Sequence, residues 1–273
     1  MSKKAKTTPT SLVTFLLDRS GSMFTGVNTT IEAFNGYLDG LKAEKDACID
    51  FTFVQFDTHD ASMSLNKICA VKPIAEVAPL SLETYQPRGG TPLIDAAYTT
   101  ILATAKAIEA RSDKPKVVFC IQTDGQENAS SVYNWSALKE LIGLKTAEGW
   151  QFVFMGAGID AYDQAAKMGV GFANTVSYDR TNEDAVRNTF TASACNTVSF
   201  AAGRSSTVEY TTKQRVAAGD QYAAARFGQT TAKIDVTGCG LSATPNVRPL
   251  HRSIDLSAAG VVPAAPEALD LTA

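Results

Sequence analysis

Short apolar runs separated by amphipathic stretches set the plan of this chain. Leu12 to Leu17 is a compact apolar run that suits a buried strand. Asn28 to Glu44 then places Ile31, Phe34, Leu38 and Leu41 at helical spacing, with Asn28 or Thr29 as candidate caps. Gly36 and Gly40 fall inside this helix and predict close packing against a neighbour. Ile49 to Phe56 alternates, with Ile49, Phe51 and Phe53 on one face. Ala61 to Asn66 alternates again after the polar turn Asp57 to Asp60, so the two predict a hairpin with one antiparallel strand at or near a sheet edge. Pro73 to Gln86 is a long connection. Behind Pro92, which suits a first helical position, Leu93, Ile94, Ala97, Ile101, Leu102, Ala105 and Ile108 form an apolar stripe. Lys116 to Thr123 is almost continuously apolar, as a central parallel strand buried on both faces would be. Trp135 to Glu148 reads as a helix with Leu138, Leu141, Ile142 and Leu144 inward. Gln151 to Met155 reads as a strand, Ala161 to Met168 as a short helix closed by Gly169, Thr175 to Tyr178 as a weak strand, and Asn182 to Ala201 as a last helix.

Strands alternating with helices predict an α/β fold: three layers, a doubly wound and mostly parallel sheet, and one antiparallel edge strand. Past Gly203 the pattern fades. Val208 to Arg215 reads as a strand or the start of a helix, and Gln221 to Phe227 as helical. From Gly228 the chain is rich in Ala, Thr, Ser, Gly and Pro, which predicts a tail or extended arm, with Leu250 to Leu256 as a candidate docking segment. The expected organisation is a basic leader over 1–7, one domain over 8–202 and a partly irregular extension over 203–273, without internal repeats.

Composition narrows the function classes. The 273 residues are 45% hydrophobic and 19% charged, ordinary for a globular protein, and the formal net charge of −3 offers no general attraction to nucleic acid or an anionic membrane. No stretch approaches the ~20 apolar residues that span a bilayer. The apolar run after the basic start is too short for a signal-peptide core, so a cytoplasmic location is expected, or a virion if the chain is phage-encoded. Cysteines at 48, 69, 120, 195 and 239 include no Cys-x-x-Cys pair, and Cys120 falls in the apolar run Val117 to Ile121. Free buried thiols in a reducing compartment fit this better than a disulfide framework, and the two histidines, His59 and His251, lie near no cysteine pair that would suggest zinc.

The candidate chemistry begins where the first strand ends. In Leu16-Leu17-Asp18-Arg19-Ser20-Gly21-Ser22-Met23, the side chains of Asp18, Ser20 and Ser22 offer three oxygens at alternate positions, and Gly21 lets the backbone curl so that they converge. Oxygen donors without nitrogen or sulfur suit a hard cation such as Mg²⁺ or Mn²⁺. Arg88-Gly89-Gly90-Thr91-Pro92 adds a hydroxyl, and Thr123-Asp124-Gly125 adds a carboxylate at the end of another apolar run. Each piece alone has a plainer reading, Asp18 and Thr91 as caps and Asp124-Gly125 as a turn. In a doubly wound sheet, however, ligands bind beyond the carboxyl ends of the strands, and all three pieces fall at that edge.

In this order and at these separations, Asp-x-Ser-x-Ser, Thr and Asp-Gly resemble the metal-ion-dependent adhesion site of von Willebrand factor A domains, over residues 8–202. The resemblance implies that Asp18, Ser20, Ser22, Thr91 and Asp124 form a metal site for Mg²⁺, or for Mn²⁺ or Ca²⁺. Ser20 and Ser22 would coordinate directly, and Asp18, Thr91 and Asp124 directly or through water. It further implies a binding module without catalysis, whose metal accepts an Asp or Glu side chain from a protein partner. Intracellular members of the family act as adaptors, including with AAA+ ATPases. Two stretches, Gln86 to Leu93 and Phe154 to Gly158, look like those of stand-alone bacterial and phage members, so a subunit of a larger assembly such as a phage particle is the alternative role.

Other readings fare less well on the residues. Met155-Gly156-Ala157-Gly158-Ile159-Asp160-Ala161 is a G-x-G-x-x-A run between a strand and a helix, with Asp179 at the spacing of a ribose-binding acid. It comes at a late strand rather than the first, so a tight turn allowing close helix packing explains its glycines more simply. A phosphatase would want a second acid where Ser20 stands, no Gly-Lys-Ser/Thr phosphate loop is present, and neither histidine sits in a triad-like context. Arg19 and Arg88 are expected in solvent or in surface ion pairs, and Glu127 on the surface.

Overall fold

The computed structural model describes residues 10–60, 62–223 and 269–272. In chain order they form β1 (Thr10–Asp18), α1 (Val27–Lys42), β2 (Cys48–His59), β3 (Ser62–Pro73), α2 (Leu93–Glu109), β4 (Lys116–Thr123), α3 (Trp135–Ala147), β5 (Gln151–Ala157), α4 (Ala161–Met168), β6 (Thr175–Tyr178), α5 (Glu183–Ala201) and α6 (Thr212–Ala217). The strands make one six-stranded sheet in the order β3-β2-β1-β4-β5-β6. All neighbours run parallel except the β2–β3 hairpin, which lies at one edge as the alternation predicts. The chain leaves β1 toward β2 and later returns to β4 on the other side of β1, so strand order reverses between β1 and β4. That reversal opens a crevice beyond their carboxyl ends.

Two apolar layers hold the helices to the sheet. On one face Val13, Phe15 and Leu17 of β1 meet α1 and α5 through Phe34, Tyr37, Leu38 and Phe190. On the other face Leu16, Val54, Phe119 and Ile121 meet α2, α3 and α4 through Leu93, Ala97, Ile101, Leu138, Ile142 and Met168. Successive strand residues thus feed opposite cores, which is why the central runs are continuously apolar. Cys120 is a buried free thiol beneath the Tyr37 hydroxyl, 3.6 Å away. Among the described residues no helix is long and apolar enough to cross a membrane.

Several boundaries depart from expectation for local reasons. Gly26 is the cap position before α1, and its φ of +96° turns the chain directly out of the 3-10 turn Gly21–Phe24, so neither Asn28 nor Thr29 caps the helix. Of the two glycines inside α1, only Gly40 marks a close approach: a Cβ there would lie 3.0 Å from Ala194 Cβ in α5, whereas Gly36 has nothing within 4 Å. Strand β3 runs to Pro73, well beyond Asn66. Pro92 precedes α2 rather than occupying its first position. Leu102 and Leu144 are exposed, because each lies outside the arc that its helix turns to the core.

The chain does not leave the sheet after Ala202. Val208, Tyr210 and Ala218 are buried in the same core as Phe190. Along the open side of β6, the Thr175 carbonyl accepts from Arg215, the Ser177 N–H donates to Asp220 at 3.1 Å, and the Asp179 N–H donates to the Ala218 carbonyl at 3.0 Å. At the opposite edge the Val71 N–H of β3 donates to the Leu271 carbonyl at 3.2 Å, and Leu271 is buried. The segment from Val208 to Arg215 is irregular up to the cap Thr211 and helical after it. Most of the helix expected over Gln221 to Phe227, and all of the candidate docking segment Leu250 to Leu256, lie outside the described residues.

Phe15 joins the two central helices of its face. Its ring centroid lies 5.1 Å from those of both Phe34 and Tyr37 and 6.2 Å from that of Phe190, and it has no exposed surface. Phe15→Ala is expected to lower the unfolding free energy by about 3–5 kcal/mol, read from the midpoint of a urea or guanidinium transition. A loss under about 1 kcal/mol would show that the neighbouring rings close the gap.

Candidate metal centre

Strand pairing brings the candidate residues together. Leu17 of β1 is in register with Gln122 of β4, so Asp18 and Thr123-Asp124 emerge side by side at the crevice. Asp18 has no exposed surface, and its carboxylate is held by the protein: the Ser20 N–H donates to Oδ1 at 2.6 Å and the Thr123 hydroxyl to Oδ2 at 2.5 Å. The local turn read from Asp18 is therefore real, but it uses only one of the two oxygens. Ser20 Oγ lies 3.1 Å from Ser22 Oγ, and the Ser22 hydroxyl donates to Asp124 Oδ1 at 2.5 Å. These four side chains form one connected oxygen cluster. Ser20 and Asp124 are buried and Ser22 is exposed, so the cluster opens to solvent at Ser22.

Thr91 joins the cluster through Gly125. A Cβ at Gly125 would lie 2.9 Å from Thr91 Oγ1 and 3.6 Å from Ser22 Oγ, so glycine here is what lets the two hydroxyls approach the same place. Thr91 does not act as a helix cap. Its N–H is taken by Asn128 Oδ1 at 2.8 Å, and the first turn of α2 is instead capped by Glu127, which accepts from the Ile94 N–H at 2.9 Å. Glu127 also accepts from the N–H groups of Ala129 and Ser130 and from the Ser130 hydroxyl. It is a clamp between the β4 loop and α2, not the surface residue expected.

Asp57, at the end of β2, ties the other two loops together. Its Oδ2 takes Arg19 Nε at 3.0 Å and Arg88 Nε at 2.7 Å, and its side chain is fully buried. Arg19 is itself buried, which departs from the expectation of solvent or a surface ion pair, whereas Arg88 is half-exposed in its ion pair with the same carboxylate. The backbone repeats the link: Arg88 N–H donates to the Arg19 carbonyl at 2.8 Å and Gly21 N–H to the Gly89 carbonyl at 3.0 Å. Gly89 has φ +64°, and a Cβ there would fall 2.2 Å from the Thr58 carbonyl oxygen, which excludes any other residue without a shift of the backbone. Tyr85 completes the arrangement, donating its hydroxyl to the Asp18 carbonyl at 2.7 Å.

The G-x-G-x-x-A run lies at the end of β5. A Cβ on Gly156 would sit 2.6 Å from Ala161 Cβ, so its first glycine admits α4 against the sheet, and Asp179 accepts hydrogen bonds from Thr181 within its own turn. A residue that the sequence reading passed over completes the site: Arg180, after β6, places Nη1 2.5 Å from Asp124 Oδ2.

The electrostatics follow from burial. Desolvation pushes the Asp18 carboxyl up to about 7, against the pull of the Thr123 and Ser20 hydrogen bonds, and the nearby Asp124 adds to the rise. Asp124 is also raised by burial, held back by the Ser22 hydroxyl and the Arg180 charge. Two carboxylates held in a poorly solvated crevice, surrounded by hydroxyls, form a donor set that a hard divalent cation satisfies. Among the described residues no group of three or more His, Cys, Asp or Glu side chains is placed to hold a metal ion. Two carboxylates with hydroxyls are therefore the charge such a cation would meet here.

No model of a known protein family matches the chain, and no curated protein matches it. Solved structures do share its fold. The open form of the pilus adhesin SpaC from Lactobacillus rhamnosus GG aligns with a TM-score of 0.52 at 11% identity, covering 72% of this chain and 31% of that one. The PilB minor pilin from Streptococcus sanguinis aligns at 0.51 and 12% identity, covering 73% and 64%. A von Willebrand factor type A protein from Catenulispora acidiphila aligns at 0.50 and 12% identity, covering 70% and 43%. The chain thus spans less than two thirds of the length of each.

The raised Asp18 carboxyl sets a pH dependence whose sign is fixed. Its folded value of about 7 lies above the ordinary 3.8, so between these values the folded state holds a proton that the unfolded state has lost. Stability from this group is full at low pH and falls as pH rises toward 7. In chelator-treated protein, the wild type should lose stability relative to Asp18→Asn between about pH 4 and 7. Parallel melting curves for the two proteins across that range would show instead that Asp18 ionises freely.

Proposed function

We propose that this chain, which has the von Willebrand factor A fold, is a divalent-metal-dependent protein-binding module that works without catalysis. The observation that carries the reading is the single oxygen cluster made by Asp18, Ser20, Ser22 and Asp124, with Thr91 beside it, at the crevice where strand order reverses. Ser20, Ser22 and Thr91 would supply neutral oxygens, and Asp18 and Asp124 the negative charge. Mg²⁺ is the cation best matched to so small an all-oxygen set, with Mn²⁺ or Ca²⁺ as substitutes. Such an ion, once bound, supplies an electrophilic position that takes a carboxylate oxygen from outside.

The protein's own part is to hold these groups still. Asp57 keeps the Asp18–Ser22 loop against the Arg88–Thr91 loop, and Glu127 keeps the Asp124 loop against α2. Asp18 and Ser20 are positioned by strand and backbone contacts, while Ser22 faces solvent where a partner arrives. Phe24, two residues beyond Ser22, is 73% exposed. An apolar ring of that size beside a charged centre suits a protein surface that presents an Asp or Glu next to an apolar pocket.

Calorimetric titration of Mg²⁺ and Mn²⁺ into metal-stripped protein tests the metal half. Saturable binding by the wild type, abolished by Asp18→Ala and by Asp124→Ala with the fold intact by circular dichroism, is the expected result. Equal behaviour of all three proteins would reject the site. For the partner half, capture of a binding protein should depend on the cation, and Phe24→Ala should weaken it roughly tenfold while the metal titration is unchanged.

A further inference from the structure

Arg180 occupies the position of a cation. Asp124 divides its carboxylate between two donors, with Oδ1 taking the Ser22 hydroxyl and Oδ2 taking the Arg180 guanidinium, each at 2.5 Å. The carboxylate is 2% exposed and the arginine side chain 35%, so the guanidinium reaches in from solvent to a group that has almost none. A small cavity beside the pair is lined by Met23, Thr30, Asp124, Ala157, Tyr178 and Arg180.

The path of the side chain is built into the neighbouring turn. A Cβ on Gly158 would lie 3.1 Å from Arg180 Cδ and 3.2 Å from its Cγ, so the arginine stem lies along the bare face of this glycine. Gly158 has φ +67°, and its N–H donates to the Tyr178 carbonyl at 2.7 Å, fixing the β5 turn to the end of β6 with the stem between them. The second glycine of the G-x-G run thus has a use that helix packing does not explain: it aims a positive charge at the oxygen cluster.

We infer that Arg180 is an internal counter-cation, which neutralises Asp124 in the metal-free protein and leaves Oδ2 when a divalent ion binds. The inference rests on the metal reading above. A divalent ion and a guanidinium on one carboxylate repel each other, and water screens that repulsion little where the carboxylate is buried. The side chain can withdraw because a third of it is already in solvent. Metal affinity is then reduced by the fraction of molecules in which the arginine holds Asp124, as for any ligand whose competent state is only partly populated.

The test compares Arg180→Gln, Arg180→Lys and Arg187→Gln with the wild type, by Mg²⁺ calorimetry and by melting in chelator and in Mg²⁺. Arg187 is exposed in α5 and pairs with Glu32, Glu183 and Asp184, so its loss controls for a change in net charge. Arg180→Gln should tighten Mg²⁺ binding roughly tenfold or more, the scale of one charge-assisted pair, with Arg180→Lys between it and the wild type and Arg187→Gln within about twofold. The same variant should melt lower than the wild type in chelator and gain more on adding Mg²⁺. A lower melting point in chelator with unchanged or weaker Mg²⁺ binding would make Arg180 a structural pair only and overturn the proposal, leaving the metal reading standing. Absence of binding in both wild type and Arg180→Gln, at millimolar Mg²⁺ or Mn²⁺, would overturn both.

Discussion

A carboxylate at the tip of a strand with no exposed surface has to be compensated by the protein around it, and much of this structure answers that demand. Asp18 ends β1, the strand between β2 and β4, where water reaches it least. Ser20 N–H and the Thr123 hydroxyl each satisfy one of its oxygens, and Tyr85 fixes its carbonyl. None of these partners lies on the same element as another, so the loop after β1, the end of β4 and the connection before α2 must all be held in register for one side chain to be tolerated. Hydrogen bonds to a buried charge offset its desolvation without removing it, which leaves the Asp18 carboxyl well above the usual range.

The register is kept by two other acids that never enter the oxygen cluster. Asp57 gathers Arg19 and Arg88 from loops on either side of β2's end, and Glu127 gathers the backbone of its own loop and of α2. Each accepts several charge-assisted or backbone hydrogen bonds in a setting partly closed to water, where such bonds are strong and their loss is costly. Positional accuracy at the crevice therefore comes from groups that stand behind the hydroxyls rather than among them.

This division explains what could be read from the amino-acid order. The sheet, its hairpin edge and the alternation of strands with helices follow from apolar periodicity, because each central strand feeds both cores. Asp18, Ser20, Ser22 and Asp124 were visible because each follows an apolar run in a short pattern, and Thr91 because a glycine pair and a proline mark its turn. Asp57, Glu127 and Arg180 carry no such mark: each follows no diagnostic pattern, and its partner lies 38, 33 or 56 residues away. Only the fold brings those pairs together. The same blindness applies after Gly203, where Val208 and Tyr210 are isolated apolar residues. There Arg215 is buried not by an apolar stripe but by the carbonyls of Phe172, Ala173 and Thr175, together with Tyr162.

The bonds from Arg215, Ala218 and Asp220 to β6, and from Leu271 to β3, have a consequence for how the protein is made. A sheet edge offers unpaired N–H and C=O groups to any passing strand. Both outer edges here are bonded by residues that follow α5 in the chain, so a ribosome releases the whole sheet before it releases these partners. For that interval the nascent domain carries two open edges, and the one at β3 stays open longer, because Leu271 follows Arg215, Ala218 and Asp220 in the chain. Protection from aggregation is thus deferred until after the sheet itself has been made.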